Sequence, residues 1–548
     1  MIGVILAATL AVRQRLAAVM SKLVIFVQLL SELLSYAIIR AYETVKYLFH
    51  QGYRDGRQRL PPVRQNFLAF SAVRLAKMIR DKELTSEALV QAMIERIRET
   101  EPFLNAVIED RFEAAMADAR QADQELNDCT DIDELARTKP FLGVPFTAKD
   151  GFGIKGMLAD IGSEVLRGQR AENDALVGER LVSAGAIPLA ITNVPEMCLW
   201  IETSNHLHGR TNNPYDIHRT CGGSSGGEAA LIAACASVWG VGSDISGSIR
   251  LPSAWCGLFG HKPTPGIIPR KGFLPEHGQE LKSRIGVLGP MTRSADDLVA
   301  MLRLMADDPG SLDLDEPVDI GSLRYFYCDY EGSSFVSSVQ PEVRRQVQRV
   351  VHFIRSDFGL KAEPLPNPEK MANHQAYFFS YLANKNFPPL KSSFDLPEIS
   401  WDPCIEAIKH AGGFSKHTLY GIVVSFLDDL YRGDLENCQT IYQDFEKYRE
   451  DIYELLGEDG VLILPSSASV APFHHGTLCN PMLYFGLAGL INVLRIPATV
   501  VPMGLNSKGI PLSVQIVAGP RQDRLCLAVA KELERKFGGF VPPCHVQA

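Results

Sequence analysis

Apolar residues recur along the chain at two spacings, and each spacing predicts a different secondary structure. Behind Ser71 and Thr85, apolar positions follow at intervals of three or four residues, as at Leu89, Met93 and Ile97. Such intervals place side chains on one face of a helix, and a preceding hydroxyl residue caps its first turn. We therefore predict two capped amphipathic helices, and the alanine-rich, acidic stretch 109–126 continues this helical layer.

Short and almost continuously apolar segments predict buried strands. These segments are 143–148, 187–192, 238–242, 460–465 and 510–517, and glycine, proline or polar residues bound them. Each is too short for a typical helix, so a strand is the better interpretation. Helices come first and then alternate with these strands, and residues 525–537 predict a closing helix. This order indicates the α/β class.

The first 50 residues have a different pattern, with a short apolar run at 2–12 and a longer one at 23–39. A helix over the longer run would span about 26 Å, a little less than a hydrocarbon core of about 30 Å. Polar residues recur there every fourth position, which equally favours an amphipathic helix in the membrane plane. A helix packed on the protein's own body is the third alternative. No basic residues precede the first run, which argues against a cleaved signal peptide.

Composition places the rest of the chain among ordinary globular proteins. The chain has 548 residues, of which 46% are hydrophobic and 22% charged, and its net charge is −9. It lacks the basic balance that is typical of nucleic-acid binding, so no nucleic-acid partner is expected. Residues 51–64 are polar and contain two consecutive prolines, which indicates a linker before a catalytic domain at 65–548.

Cysteines and histidines give no sign of a metal or redox site. The eleven cysteines include no C-x-x-C pair, and Cys235 and Cys256 lie in apolar segments, where a free thiol behaves as a small hydrophobe. The catalytic part should therefore face a reducing compartment. His206, His208 and the adjacent pair at 474–475 lack metal-binding spacing. We expect neither a metal nor a cofactor.

The stretch 222–266 carries the candidate chemistry. Residues 222–227 place four glycines around Ser224 and Ser225, so the backbone there can approach a reacting group closely. A helix-forming run and the strand at 238–242 follow, and then a second turn rich in glycine and serine at 243–248. The two serine-bearing loops can therefore converge in space.

Three other interpretations of these loops fit the sequence less well. Flexible linkers do not alternate with a helix and a buried strand. A phosphate-binding loop would need a lysine and a serine or threonine directly after the glycines. A nucleophile elbow, G-x-S-x-G, matches residues 222–226 and would make Ser224 the nucleophile, but it requires an apolar strand before it, and residues 215–221 are mostly polar.

In combination these motifs resemble the signature of the amidase signature family. The resemblance rests on GGSSGGE at 222–228, DISGSIR at 244–250 and KPTPG at 262–266, with 24 residues between Ser224 and Ser248. An upstream segment, GVPFTAK at 143–149, supplies Lys149 as the third member. Further likenesses at 191–196, 209–214 and 509–516 extend the resemblance over about residues 65–540. The family fold it implies is a mixed β-sheet between helical layers.

The resemblance also implies residue roles and an amide hydrolase activity. Lys149 matches the family's base, Ser224 its bridging serine and Ser248 the nucleophile that carries the acyl group. The backbone N–H groups of four residues match the oxyanion hole: Ile245, Ser246, Gly247 and Ser248. Physical chemistry supports the base, because burying a lysine beside apolar residues disfavours its charged form, and only a neutral amine can take a proton from serine.

One position departs from the family pattern, since serine stands at 246 where the family usually has glycine. If this residue needed a positive φ, the strain would be about 1–3 kcal/mol. A catalytically silent membrane scaffold is therefore kept as an alternative function.

The substrate is predicted from the apolar N-terminus and from region 323–458, which is the least family-like and should shape the pocket. There, Leu419, Ile422, Val423, Phe426, Leu427 and Leu430 fall on one helical stripe, which is either core or a lipid-facing cap. We expect a protein of intracellular membranes, single-pass or monotopic, that hydrolyses long-chain fatty-acid amides such as primary amides and N-acyl ethanolamides. A homodimer is compatible with this hypothesis. An amidase for small amides, or the amidase subunit of a tRNA-dependent amidotransferase, is the alternative.

Overall fold

The computed structural model describes residues 60–274, 284–329, 339–385, 387–393, 402–432, 435–479 and 481–547. The apolar N-terminal segment predicted at 1–50, and most of the predicted linker, lie outside these residues. Within the part of the chain described, no helix combines the length and the apolar character needed to cross a membrane.

Eleven strands form one central sheet in the order β1-β3-β2-β8-β10-β9-β14-β15-β13-β11-β12, and β4 pairs with β5, and β6 with β7, in two small ladders. The strand bounds are β1 Val107–Asp110, β2 Pro145–Lys149, β3 Ile187–Thr192, β4 Ser204–Asn205, β5 Gly209–Arg210, β6 Asn212–Asn213, β7 Asp216–Thr220, β8 Trp239–Asp244, β9 Phe259–Lys262, β10 Val287–Thr292, β11 Arg324–Tyr327, β12 Ala362–Pro364, β13 Gly460–Pro465, β14 Ala498–Leu505 and β15 Pro511–Ala518.

The central sheet is mixed, as the family resemblance implies. Strand β2 runs parallel to both β3 and β8, and β11 runs parallel to β12 and β13. The strands between these two parallel groups, β10, β9, β14 and β15, pair antiparallel with their neighbours. The five predicted apolar segments correspond to β2, β3, β8, β13 and β15, so the sequence prediction of the strands is confirmed.

The helices of the described residues pack around this sheet. Their bounds are α1 Ala72–Arg80, α2 Ser86–Leu104, α3 Phe112–Asp128, α4 Ile132–Thr138, α5 Leu176–Ser183, α6 Gly226–Ala233, α7 Arg250–Trp255, α8 Ala295–Met305, α9 Pro341–Phe358, α10 His374–Asn384, α11 Pro403–Ala411, α12 Leu419–Arg432, α13 Leu435–Leu456, α14 Pro481–Val493 and α15 Asp523–Phe537. Ser71 and Thr85 cap α1 and α2 as predicted, each accepting a hydrogen bond from a backbone N–H of the first turn.

Both faces of strand β13 are covered by apolar residues, which explains why its sequence has no polar face. Successive side chains of a strand point to opposite faces. In β13, Val461 and Ile463 belong to one hydrophobic cluster, whereas Leu462 and Leu464 belong to another. Each of these β13 residues therefore meets an apolar layer, and the apolar run of this strand is continuous.

Residues 60–64, which the sequence assigns to a linker, are part of the folded body. Leu60 and Val63 are buried. The Val63 N–H donates to the carbonyl of His545 at 2.8 Å, and the Gln547 N–H donates to the carbonyl of Val63 at 2.9 Å. The two consecutive prolines led to the linker prediction. In the structure, both of their carbonyls accept hydrogen bonds from buried Arg96, which holds this segment on the folded body.

Candidate active site

Lys149 ends strand β2 and lies fully buried beneath the glycine-rich loop. Its Nζ donates to the Oγ of Ser224 at 2.5 Å and to the Oγ of Ser243 at 2.9 Å. Among the described residues, no carboxylate lies within 4.0 Å of this amine to form an ion pair. Burial lowers the pKa of Lys149 below its ordinary value, and the positive charge of Arg270 also contributes to lowering it.

The loop that carries Ser224 needs its glycines because other backbone lies very close to it. Gly222 has φ +91°, and a Cβ added there would lie 2.6 Å from the Cα of Pro252. A Cβ added at Gly223 would lie 2.8 Å from the carbonyl oxygen of Trp200. The Gly223–Ser224 peptide bond is cis. The glycines thus allow the loop to sit where Ser224 meets Lys149.

Buried Glu228 links helix α6, which follows this loop, to strand β2, which carries the lysine, and to the neighbouring strand β3. It accepts hydrogen bonds from the Oγ1 of Thr147 at 2.7 Å and of Thr192 at 3.0 Å. Burial raises the pKa of Glu228 to about 8, although both threonines lower it. A carboxyl that stays protonated at neutral pH adds no negative charge beside Lys149.

The second turn, residues 244–248, is organised by Asp244. Its carboxylate accepts from the N–H groups of Gly247 at 2.7 Å and Ile249 at 3.1 Å, and from two guanidinium nitrogens of Arg250, each at 3.0 Å. Burial alone would raise the pKa of Asp244, but its interactions with Arg250 outweigh the effect of burial and lower this pKa to about 2. The carboxylate is therefore ionised at neutral pH and fixes the turn that presents Ser248.

The two serine-bearing loops converge as the sequence predicts. The N–H of Ser225 donates to the carbonyl of Ser248 at 3.2 Å. Ser224, Ser243 and Ser248 line one cavity. Within the described residues, the Oγ of Ser248 has no hydrogen-bond partner, so the structure joins Lys149 to Ser224 but does not join Ser224 to Ser248 by a hydrogen bond.

The four predicted oxyanion donors differ in what they contact. The N–H of Gly247 already donates to Asp244, so this N–H is not available to an oxyanion as predicted. The N–H groups of Ile245 and Ser248 have no hydrogen-bond partner among the described residues, and both residues line the cavity. Ser246 lines the same cavity.

The strain considered for Ser246 is absent. Ser246 is not among the residues with a positive φ, whereas Gly247, the next residue, has φ +99°. The turn therefore places its left-handed residue one position later, where glycine is retained. This removes the reason for regarding the site as silent.

The remaining walls of the cavity are largely apolar. Helix α10 contributes Phe378, Phe379 and Leu382, and α12 contributes Val424. The other lining residues outside the two serine loops are Met197, Cys198, Leu199, Trp200, Arg270, Phe273, Leu274, Phe387, Pro388 and Leu390. No histidine lines this described cavity, so the histidine base that a nucleophile elbow would need is missing from it.

Sequence reasoning misses several residues that support the site. Ser243 is predicted only as part of a turn, although it is the second acceptor for Lys149. Arg250 belongs to the DISGSIR motif without a predicted role, and it is held by Asn492 Oδ1 at 2.6 Å. An acid and an arginine six positions apart in one motif are the available signal for the Asp244 pair.

One group of side chains has the composition of a cation site. Asp150, Asp160 and His208 place one possible ligand atom each within 4.8 Å of one another. His208 Nε2 lies 2.9 Å from Asp160 Oδ1, so a hydrogen bond accounts for two of the three. We assign no metal to this group.

The site combines a buried amine whose pKa is lowered, the hydroxyls of Ser224 and Ser248, and two N–H donors without a partner among the described residues. This combination suits nucleophilic acyl transfer. A family model described as Amidase matches residues 88–527. The chain belongs to this amidase family, as its motifs predicted, and it is an amide hydrolase acting on carbon–nitrogen bonds.

The chain is 40% identical over 507 residues to fatty-acid amide hydrolase 2-A of Danio rerio, a match that covers 90% of this chain and 94% of that protein. This confirms the likeness to fatty-acid amide hydrolase 2 that the apolar N-terminus, in combination with residues 209–216 and 517–520, predicts. The chain is also 28% identical to a glutamyl-tRNA(Gln) amidotransferase subunit of Oleidesulfovibrio alaskensis, over 83% of this chain and 94% of that one.

Among solved structures, 6-aminohexanoate cyclic dimer hydrolase superposes with a TM-score of 0.69 at 23% identity, covering 86% of this chain and 97% of that chain. At this level of identity the likeness concerns the fold.

Replacing Gly247 with alanine should damage the turn. An added Cβ would lie 2.5 Å from the Cβ of Ala488, and φ +99° disfavours any side chain. We expect the free energy of unfolding to fall by about 2–5 kcal/mol, measured by denaturant titration. Gly504→Ala is the matched control, since Gly504 has φ +88° and, apart from its chain neighbours, no atom of the described residues lies within 4 Å of an added Cβ. Equal losses in the two variants would contradict the close packing of the turn.

Proposed function

We propose that the chain is a membrane-associated serine amidase that hydrolyses long-chain fatty-acid amides, including primary amides and N-acyl ethanolamides. Residues 65–548, extended by the packed residues 60–64, form its catalytic domain. The observation that carries the proposal is the buried Lys149, hydrogen-bonded to Ser224 with no carboxylate within ion-pair distance among the described residues. Burial lowers the pKa of such an amine and so favours its neutral form, which can act as a base.

In the proposed reaction, Lys149 takes the proton of Ser224, and Ser224 takes the proton of Ser248. The Ser248 oxygen attacks the amide carbon, and the N–H groups of Ile245 and Ser248 stabilise the oxyanion. The carbon–nitrogen bond breaks as the proton returns through Ser224 to the leaving nitrogen. Water then hydrolyses the acyl ester and releases the fatty acid. The contact between the two serines forms with substrate bound, since catalytic hydrogen bonds often tighten only then.

The apolar cavity walls support an acyl chain as the main binding element. Each methylene moved from water into such a pocket contributes about 0.8 kcal/mol. The name of the Danio rerio relative, at 40% identity, points to fatty-acid amides. The amidotransferase relative at 28% identity represents the alternative of a small polar amide, which the aromatic and aliphatic walls favour less.

An exposed apolar surface near this cavity supports contact with a membrane. It consists of Ile405 and Ile408 on α11, Phe414 in the following loop, and Leu419, Phe426 and Leu430 on α12, each at least 40% exposed. The predicted helical stripe is thus divided, because Ile422 is buried whereas three of its members face outward. Residue Val424 of the same helix lines the cavity. A membrane at this surface would hold lipid amides close to the site.

The nucleophile can be identified by covalent labelling. Intact-mass analysis after treatment with a fluorophosphonate should show a single adduct on the full-length protein. Ser248→Ala should abolish the adduct, because the reacting oxygen is gone. Ser224→Ala should slow its formation without abolishing it, because only the proton route is lost.

Unchanged labelling of Ser248→Ala combined with loss in Ser224→Ala would establish the nucleophile elbow and refute the proposed roles. Ser311→Ala is a suitable control, since Ser311 lies in a short 3₁₀ helix outside the cavity.

The substrate class is tested by kcat/KM for acyl amides of two to twenty carbons. We expect a steep rise with chain length on vesicle-presented substrate, up to about fourfold per methylene. Combined substitution of Ile408, Phe414 and Leu430 by serine should reduce the rate for long chains on vesicles while sparing a soluble short-chain amide. Removal of residues 1–50 should add to this loss. If short-chain amides are cleaved as efficiently as long ones, the lipid-amide assignment is wrong, although the serine chemistry could stand.

A further inference from the structure

Asp150 directly follows the proposed base in the sequence, and the catalytic roles above do not use it. Its N–H donates to the carbonyl of Thr192 at 3.0 Å, which continues the pairing of β2 with β3. Its side chain is fully buried, and as a carboxylate neither of its two oxygens has a hydrogen-bond partner among the described residues. A charged carboxylate would be costly there, because it would lose its hydration without gaining a donor.

Asp160 is a second buried carboxyl group beside Asp150, and it does have hydrogen-bond partners. One oxygen of each carboxyl group and one ring nitrogen of His208 lie within 4.8 Å of one another. Asp160 Oδ1 accepts from the N–H of Gly162 at 3.2 Å and lies 2.9 Å from His208 Nε2. Two buried carboxylates this close repel each other, so one of them is readily protonated. The partners of Asp160 favour its charged form, which places the proton on Asp150.

The electrostatic surroundings of Asp150 act in the same direction. Burial raises the pKa of Asp150 well above its ordinary value, and the charge of Asp160 and a hydrogen bond between the two side chains raise it further. The N–H groups of Gly151 and Gly162 oppose this change and are outweighed. Once protonated, Asp150 can donate to Asp160, and its side chain is then no longer without a partner.

We propose that Asp150 and Asp160 share one proton, which Asp150 carries, and that this neutral acid is a positioning residue for the base Lys149. The inference rests on the proposed role of Lys149 and extends it. Burial lowers the pKa of Lys149, whereas a negative charge on Asp150 would raise it. With the proton on Asp150 this opposing charge is absent, and the deprotonated amine is favoured.

Other titratable groups also surround this pair and the base. Asp150 is faced by Lys149 from β2, by Asp160 from the loop 158–163 and by His208 from the turn between β4 and β5. The further groups that interact with Lys149 are Cys198, Asp244, Arg270 and Glu228. Substitutions at Asp150 and Asp160 leave all of these in place.

Infrared spectroscopy can detect the shared proton without any substitution. Full-length protein whose aspartates carry carbon-13 at the side-chain carboxyl should show the isotope-shifted C=O band of a protonated acid at about pH 8. At that pH Asp297, whose pKa burial raises to about 6, is ionised, and the label separates aspartates from Glu228. Asp150→Asn should remove the band, whereas Asp128→Asn, which changes an exposed aspartate, should leave it. Asp160→Asn should move the band to higher frequency, because an amide oxygen is a weaker acceptor than a carboxylate.

The pH profile of single-turnover acylation tests the connection to Lys149. If Asp150 is already neutral, Asp150→Asn should leave the midpoint of the acidic limb at the position found for the parent protein. If Asp150 were a carboxylate, the same substitution would remove a charge that favours the ammonium form, and the midpoint would fall by about one pH unit or more. A fall of this size would overturn the inference.

The infrared result separates this inference from the proposed function, because it needs no substrate. Absence of the band from the parent protein, or its persistence in Asp150→Asn, would overturn the inference. An unchanged band frequency in Asp160→Asn would do the same, since the proton would not be shared. If no acyl amide is hydrolysed but the band behaves as expected, the proposed function fails and the acid pair stands. If amides are hydrolysed and the band is absent, the function stands and the acid pair is refuted.

Discussion

The chemistry of this site depends on a buried lysine that has no carboxylate within 4.0 Å among the described residues. Moving an ammonium group out of water is costly, and a nearby carboxylate would compensate for that cost and keep Lys149 charged. The described part of the chain offers two hydroxyl acceptors instead, Ser224 and Ser243. Glu228, the buried acid of the neighbouring helix, has its pKa raised to about 8 and is neutral at pH 7. The fold thus stabilises the deprotonated amine, which is the form that can accept a proton.

The turn that presents Ser248, by contrast, is stabilised by a buried ion pair. There Asp244 and Arg250 are both buried and both charged, and their pairing at 3.0 Å is completed by backbone N–H groups and by Asn492. Breaking such a buried pair leaves an uncompensated charge, which usually costs several kcal/mol. The pair therefore makes the turn rigid. A rigid turn keeps the N–H donors of Ile245 and Ser248 in place before a substrate arrives.

Local patterns predicted the parts of the molecule that local physics determines. Strand β13 was predictable because both faces of its sheet are covered, so its apolar run is unbroken. The motif resemblance predicted that Lys149 and Ser224 would meet. It could not reveal that Arg250 is held by Asn492, because those residues are 242 positions apart and no spacing rule links them. Residue types also did not specify which of positions 246 and 247 is left-handed.

The pH dependence of acylation tests whether the deprotonated form of buried Lys149 activates the serines. The reaction needs Lys149 deprotonated, so the single-turnover acylation rate should fall as pH drops through the pKa of this amine and level off above it. Because burial lowers that pKa, the midpoint should lie below the ordinary lysine value of 10.5. Lys149→Ala should lose several orders of magnitude in rate and the lysine-dependent limb of the profile, with an unfolding transition like that of the parent protein. Near-normal acylation in Lys149→Ala with the same pH profile would contradict the account.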